Sequence, residues 1–460
     1  MGAAAALLVG ALAVGAPTDK TPMLTKRVQR VFAASITSDN LRRAVRDLER
    51  LGPAALPVIT SEIERLHGWA LVAAVQCVAA SHHRPAAAVV ARRLVDREHA
   101  DVVMAYLLPA AGRLGGDALV PALSAVARSR ERDGWTTRLR AFLALVEMGS
   151  ARSIDAAIAA LDAPRPARPQ MPSAAAFTEV IGRPLDEAAR LHAMEREDVN
   201  EYLRLGRGLG AARVPLPGGR ILMVFPDRWL GTFADLWVQE FGPDGRPEGP
   251  ATVLGITMEG RLCPHECPIA PELRGDILTV HRPDTPETVR VDLKEARRDS
   301  DGDGFTDLVE RRLSLDPGNA DSDGDGMADA VDPAPNARTR PASTEVEQIR
   351  AAIFEQYFAF TDDSGQPVIF LGPPSQPLEG RTGPTLVIAS GEEERVRDRY
   401  PGLPFVRIAP DEDPAAVAPG QRRYVLVTYT GPISGAVYVV VVSRVRGRWL
   451  MRSVAVRSMS

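Results

Sequence analysis

Two short stretches of this chain concentrate acids at a spacing that suits a cation. The first, Asp299 to Glu310, reads DSDGDGFTDLVE, and the second, Asp321 to Asp332, reads DSDGDGMADAVD. Each places acidic side chains at loop positions 1, 3, 5, 9 and 12, with glycine at position 6. A hard divalent cation takes roughly six to eight oxygens, and carboxylates supply both the oxygens and the compensating charge. In the first loop the pattern nominates Asp299, Asp301 and Asp303, the main-chain carbonyl of Phe305, Asp307 directly or through a water, and Glu310 with both oxygens. Gly304 provides the backbone freedom for the reversal that brings the two ends of the loop to one ion. The second loop repeats the scheme with Asp321, Asp323, Asp325, the carbonyl of Met327, Asp329 and Asp332. Its closing Asp is shorter than Glu, which weakens calcium or admits magnesium. About two calcium ions per chain are expected; the alternative is a pair of solvated acidic turns.

The surroundings of the loops restrict what can hold them. A paired EF-hand needs a helix leaving the first loop and another entering the second. Only ten residues, Arg311 to Ala320, separate these loops, and Asp316-Pro317-Gly318 interrupts any helix there. Pro333 and Pro335 follow the second loop, so no exit helix is expected, which also argues against a dockerin. The run DPGNADSDGDGMADAVDPAP resembles thrombospondin type 3 calcium repeats in their bacterial, cysteine-free form, over about residues 297–336. That resemblance implies a short, calcium-wrapped segment with little hydrophobic core that stiffens a junction between domains. The cysteine pairs of vertebrate members are absent here. Asp316 and Asn319 lie between the loops and could add oxygens.

Upstream, residues 24–162 carry helical repeats. Apolar residues recur at helical spacing in Leu41–Leu51, Ala54–Leu66, Ala70–Ala80, Pro85–Val95, Ala100–Leu114, Asp117–Arg128, Thr136–Met148 and Ala151–Leu161. The breaks near 52, 83, 115 and 149 recur about every 31–34 residues, the period of stacked helix pairs. The phrases ERLGPAALPVI, GRLGGDALVPAL and VEMGSARSIDAAI resemble HEAT-like repeats. Such a stack offers a surface rather than a pocket, and serves protein binding or is purely structural. His82 and His83 fall in a turn.

The remainder reads as β-rich. Residues 163–184 begin as a Pro-rich linker, and 185–296 hold a charged helix (about 185–205) followed by a small antiparallel β domain. Strands are expected at Arg220–Phe225, Ala234–Phe241, Thr252–Met258, Asp276–His281 and Thr288–Leu293, with Trp229, Phe233 and Trp237 as core or a binding face. In residues 342–460 a helix, Thr344–Phe358, precedes six strands, the last three forming an antiparallel meander; its outline resembles nuclear-transport-factor-2-like or cystatin-like domains. The expected fold class is thus multidomain α+β: an N-terminal HEAT-like α-solenoid, a small antiparallel β domain, a calcium-loop linker and a C-terminal α+β domain. Cys77 reads as a buried small hydrophobe. Cys263 and Cys267, flanking His265, form a short disulfide, stay free thiols or contribute to a metal site.

Composition excludes more than it names. A net charge of −4 over 460 residues leaves no footprint for nucleic acid or an anionic membrane. There is no G-x-S-x-G elbow, H-E-x-x-H, phosphate loop or dinucleotide fingerprint, so an enzyme is not expected. The acids Glu392, Glu393, Glu394, Asp411, Glu412 and Asp413 read as solvated loop charge, and the Arg274-Gly275-Asp276 tripeptide is too short to weigh. Residues 1–16, MGAAAALLVGALAVGA, are too short to span a bilayer and resemble the core of a secretory signal peptide, although no basic residue precedes them. The leading expectation is an exported, periplasmic or extracellular calcium-binding protein whose helical repeats engage protein partners. A calcium-stabilised hydrolase and a cytosolic HEAT-like scaffold are the alternatives.

Overall fold

A computed structural model describes residues 21–96, 99, 101–129, 135–163, 212–226, 233–243, 247–259, 270–281, 288–361, 368–373, 375–376, 385–388, 405–411, 417–429 and 435–459. The expectations for 1–16, the 185–205 helix, Trp229, the CPHEC turn, Glu392–Glu394, Glu412 and Asp413 lie outside these residues. The chain divides into two compact units between Ala160 and Leu161. Among the described residues, no helix is long and apolar enough to cross a membrane.

The first unit is helical: α1 Thr21–Ala33, α2 Leu41–Glu49, α3 Leu56–Glu62, α4 Gly68–Ala80, α5 Ala87–Leu94, α6 Asp101–Leu114, α7 Val120–Arg128, α8 Trp135–Met148 and α9 Ala151–Leu161. Alternate helices stack in succession, α2 on α4, α4 on α6 and α6 on α8, while α5 packs on α7 and α7 on α8. Position in the stack explains composition. The face of α2 that turns inward carries Leu41, Ala44 and Leu48, whereas α4, covered by α2, α3 and α6, buries Leu71–Val75 and Cys77–Ala79. The Cys77 thiol, 1% exposed, is pushed up to about 11 by burial and then by Glu49, which leaves it an inert core residue. The second helices start later than periodicity alone suggests. Pro53–Ala55, Arg84–Ala86 and Asp117–Leu119 form single 3-10 turns before α3, α5 and α7.

Closeness of packing is set by Gly112 on α6. A Cβ there would lie 2.9 Å from the Ala144 Cα of α8, against backbone that cannot give way. Gly112→Val is therefore expected to cost the helical unit about 1–3 kcal/mol, read as a lower denaturation midpoint of the helical signal.

The second unit begins with two antiparallel sheets. Strands β1 Ala212–Pro215, β2 Ile221–Pro226, β3 Phe233–Phe241 and β4 Pro247–Glu259 pair in sequence order, as do β5 Ala270–Arg274, β6 Ile277–His281 and β7 Thr288–Asp292. One core holds both sheets together: Val214, Leu222, Val224, Leu236, Val238 and Leu254 from the first meet Leu278 and Val280 from the second. Leu293 and Ala296 of the short helix α10 (Leu293–Ala296) close that core. Strands β1 and β5, short and carrying Arg213, Pro271 and Glu272, were not foreseen.

After α11 (Asp307–Leu313) the chain forms β8 Arg340–Pro341, α12 Glu345–Thr361, β9 Val368–Leu371, β10 Ser375–Gln376, β11 Thr385–Ile388, β12 Phe405–Pro410, β13 Gln421–Tyr429, β14 Gly435–Val445 and β15 Arg448–Met459. Six strands form one sheet in the order β11-β9-β12-β13-β14-β15. The expected meander is present as β13-β14-β15, but β9 is parallel to both β11 and β12, so the sheet is mixed. Helix α12 packs on β12, β14 and β15, with Phe354 against Phe370 and a buried Gln356 bonded to the Trp449 carbonyl and the Met451 N–H. Asp411 corrects one expectation: instead of solvated loop charge, its side chain is 3% exposed and ion-paired to Arg423 at 2.7 Å.

Helix α12 starts at a reciprocal cap. The Glu347 N–H bonds to Thr344 Oγ1 at 3.2 Å, while the Glu347 carboxylate accepts from the Thr344 and Ser343 N–H groups and the Ser343 hydroxyl. Arg340, hydrogen-bonded to it at 2.5 Å, is the first cause holding the Glu347 carboxyl well below the usual carboxylate range. A depressed folded-state value means stability that is present above the ordinary Glu pKa of about 4.3 and fades as pH falls through the folded value. Glu347→Gln is expected to lower the melting temperature of this unit at pH 7, and the gap to the parent should narrow below about pH 4.

Candidate metal centre

The two acidic loops share one backbone scheme around their first three carboxylates. In the first, Asp299 accepts from the N–H groups of Gly302 at 2.7 Å and Gly304 at 3.2 Å; Asp303 N–H bonds to Asp301 at 3.2 Å and Phe305 N–H to Asp303 at 2.6 Å. In the second, Asp321 accepts from Gly324 at 2.8 Å and Gly326 at 2.9 Å, Asp325 N–H bonds to Asp323 at 2.9 Å, and Met327 N–H to Asp325 at 2.9 Å. Each position-1 carboxylate thus draws the chain around itself. The turn is possible because Gly304 and Gly326 sit at φ +104° and +99°, a region that penalises any side chain. As a result, carboxylate oxygens of Asp299, Asp301 and Asp303 lie within 4.8 Å of one another, and so do those of Asp321, Asp323 and Asp325. Either triplet could hold a metal ion.

Position 9 does something different from what the spacing suggested. Both oxygens of Asp307 are engaged by Ser300, from its N–H at 2.9 Å and its hydroxyl at 2.9 Å, and Arg311 adds a contact at 3.2 Å. Asp329 is held identically by Ser322, at 2.9 and 2.5 Å. The Asp307 N–H also bonds to the Arg298 carbonyl at 2.8 Å, and that of Asp329 to Ala320 at 2.9 Å. These two acids clamp the mouth of each loop. The serine at position 2 of both loops is the signal, present in the sequence, that sequence reasoning passed over.

Positions 3 and 12 carry what is left unsatisfied. Asp301 Oδ2, both oxygens of Glu310, Asp323 Oδ2 and Asp332 Oδ2 are buried without a hydrogen-bond partner. Glu310 is fully buried and Asp332 is 3% exposed. Burial, then Asp301 and Asp303, pushes the Glu310 carboxyl up to about 8. Burial pushes Asp332 up to about 6, with Asp325, Asp323 and Asp329 adding to it. Asp321 is shifted the other way, chiefly by the N–H of Gly326. Buried carboxylates normally have partners, because an orphaned charge costs several kcal/mol on the order of a whole ion pair. Hard, orphaned carboxylate oxygens beside two converging aspartate triplets fit a divalent cation. Side chains at position 7 do not take part: Phe305 packs into an apolar cluster and Met327 is exposed, which leaves only their carbonyls as candidate ligands.

The loops also touch each other. Ala330 N–H, in the second loop, bonds to Asp303 Oδ2 of the first at 3.0 Å, and a Cβ on Gly304 would rest 3.5 Å from that of Ala330. Asp329 raises both Glu310 and Asp332, so its charge bears on both sites. One local expectation needs correcting. A helix does leave the first loop: α11 starts inside it, capped by Thr306, and runs two turns before Ser314 ends it at φ +61°. The Asp316-Pro317-Gly318 break comes after that helix rather than in place of it. The second loop ends in turns, as expected.

No protein-family model, curated protein or solved structure matches this chain.

Removing the clamps tests their role. Ser300→Ala with Ser322→Ala leaves every orphaned carboxylate in place but frees the loop mouths, and is expected to weaken divalent-cation binding by roughly tenfold without unfolding the sheets. Affinities measured by calorimetry on both proteins check it.

Proposed function

We propose that residues 297–336 bind about two calcium ions, and that the ions stiffen the junction between the small β domain and the C-terminal sheet. The observation that carries this reading is the fully buried Glu310, whose two oxygens have no donor and on which the charges of four further acids, Asp301, Asp303, Asp329 and Asp307, bear. Asp301, Glu310 and Asp303 with Asp299 would hold one ion; Asp321, Asp323, Asp325 and Asp332 the other. A bound cation would supply the compensating charge, while the chain's own backbone N–H groups and serines hold the carboxylates in place. Calcium is favoured over softer metals because every available ligand is an oxygen.

The junction role follows from where the segment packs. Helix α11 lies against β4 of the small β domain. Leu313 and Leu315 join Ile369, Leu371, Leu386 and Phe405 of the C-terminal sheet in one apolar cluster, with Phe305 and Val309 beside them. Arg297, at the start of the segment, pairs with Glu240 of β3 at 2.5 Å. A segment tied to both neighbours transmits its own rigidity to them.

The N-terminal helices are read as a HEAT-like solenoid that engages a protein partner, on the recurrent 3-10 entry turns and the one-after-another stacking of α2, α4, α6 and α8. Export to the periplasm or beyond is part of the proposal. It rests on the apolar run at 1–16 and on the millimolar calcium found outside cells, which suits oxygen-only loops.

Calorimetric titration of metal-stripped protein, with magnesium as control, is expected to give about two calcium-selective sites. Asp303→Ala with Asp325→Ala should abolish calcium-dependent protection of 297–336 from protease and leave the helical unit folded. Retained protection in that double variant would mean that other residues hold the ion.

A further inference from the structure

The second acidic loop runs directly into a strap that covers an open sheet edge. Strand β11 is the end strand of the six-stranded sheet, paired to β9 on one side only. On its other side the N–H groups of Thr385 and Val387 point away from β9. The Thr385 N–H bonds to the Pro333 carbonyl at 2.8 Å. The Val387 N–H bonds to Asn336 Oδ1 at 2.9 Å, and the Val387 carbonyl accepts from Asn336 Nδ2 at 3.0 Å. The carboxamide of Asn336 thus imitates the peptide group of a neighbouring strand.

The strap is fastened at both ends to loop two. At its start, Asp332 closes the loop and its Oδ1 accepts the Ala334 N–H at 2.7 Å, while its Oδ2 is one of the orphaned oxygens. Pro333, the very next residue, makes the first edge bond. Farther along, the Arg338 guanidinium returns to the loop and bonds to the Asp323 carbonyl at 2.7 Å, and it lies so close over Gly324 that a Cβ there would be 2.5 Å from it. No regular strand or helix holds residues 333–338 in place; besides these bonds, the burial of Ala334 and the Ala337 N–H bond to the Ala334 carbonyl at 3.0 Å anchor them.

We propose that occupancy of the second cation site governs whether this strap covers the β11 edge. With the cation bound, Asp332 is fixed, Pro333 and Asn336 stay on the edge, and the sheet is closed. With the site stripped, repulsion among Asp323, Asp325, Asp329 and Asp332 loosens the loop, the strap lifts, and β11 offers two free N–H groups and a carbonyl. An exposed edge of this kind accepts an extended peptide by strand addition. The coupling is reciprocal, so loosening the strap must weaken the cation site.

This inference rests on cation binding by the loops, and the test separates the two. Hydrogen exchange at Thr385 and Val387 is compared in the full chain, metal-stripped and calcium-saturated, with calcium binding measured on the same sample by calorimetry. Calcium is expected to slow both amides by at least about tenfold, while amides within the β13-β14 pairing change less than about twofold. A second variant, Asn336→Ala, keeps every carboxylate. It is expected to exchange fast at Val387 even with calcium and to bind calcium about three- to tenfold more weakly at one site. Equal exchange at Thr385 and Val387 with and without bound calcium overturns the coupling and leaves the metal site standing. So does an Asn336→Ala chain that matches the parent in affinity. Absence of any calcium heat overturns the functional reading and this inference with it.

Discussion

Five carboxylate oxygens buried without a donor, on Asp301, Glu310, Asp323 and Asp332, set the condition that the second unit has to meet. Two like charges about 4 Å apart repel by about 4 kcal/mol at an effective dielectric near 20. A domain is stable by only about 5–15 kcal/mol. A few such repulsions therefore rival the whole stability of the fold unless protons or a cation remove them. Burial first, and the neighbouring acids after it, push the Glu310 and Asp332 carboxyls up. Everything around these oxygens serves to hold them together despite it: backbone N–H groups on Asp299 and Asp321, serine clamps on Asp307 and Asp329, and the cross-loop bond from Ala330 to Asp303.

The division of labour among the acids follows from where donors are available. Acids at positions 1 and 9 meet N–H and O–H donors of the loop itself, so their charge is already compensated locally. Those at positions 3 and 12 each keep at least one oxygen with none. A cation would gain most where the protein has left charge uncompensated, which in the proposed reading puts the weight on positions 3 and 12. On spacing alone the acids at positions 1, 3 and 5 looked equivalent, and position 9 looked like a further ligand, direct or through a water. The difference depends on Ser300 and Ser322, whose hydroxyls read as filler between aspartates until their reach across seven residues is seen.

Much of the architecture was legible because it is written in short-range patterns. The helix pairs follow apolar periodicity, and α6, α8 and α9 end where Leu114, Met148 and Leu161 end the pattern. The antiparallel order β13-β14-β15 follows from long, closely spaced apolar runs. What was not legible depends on distant partners. Strands β1 and β5 are too short and polar to register alone and exist because β2 and β6 pair with them. The parallel pairing of β9 with β11 and β12 leaves no local mark. Helix α11 was discounted because Asp316-Pro317-Gly318 interrupts any helix between the loops, yet two turns fit before that break, and Leu313 packs them on a sheet more than fifty residues away. Asn336, an ordinary loop residue by type, acquires its role only through Val387.

That dependence on distant partners also explains why the acidic segment is more than a tether. Its apolar residues Phe305, Val309, Leu313 and Leu315 are too few for a core of their own, and they spend their burial on Ile369, Leu371, Leu386 and Phe405 instead. The sheet in turn relies on the segment, since Pro333 and Asn336 satisfy the edge of β11 that nothing else among the described residues covers. Each side therefore completes the other: the sheet supplies the hydrophobic support, and the segment supplies the missing backbone partners. An interaction that organises the loops would consequently act on the sheet edge through Asp332 and Pro333, adjacent residues of which one closes the second acidic loop and the other bonds to the strand. Any stiffening proposed for the loops would therefore rest on the shared cluster and edge as much as on the loops themselves.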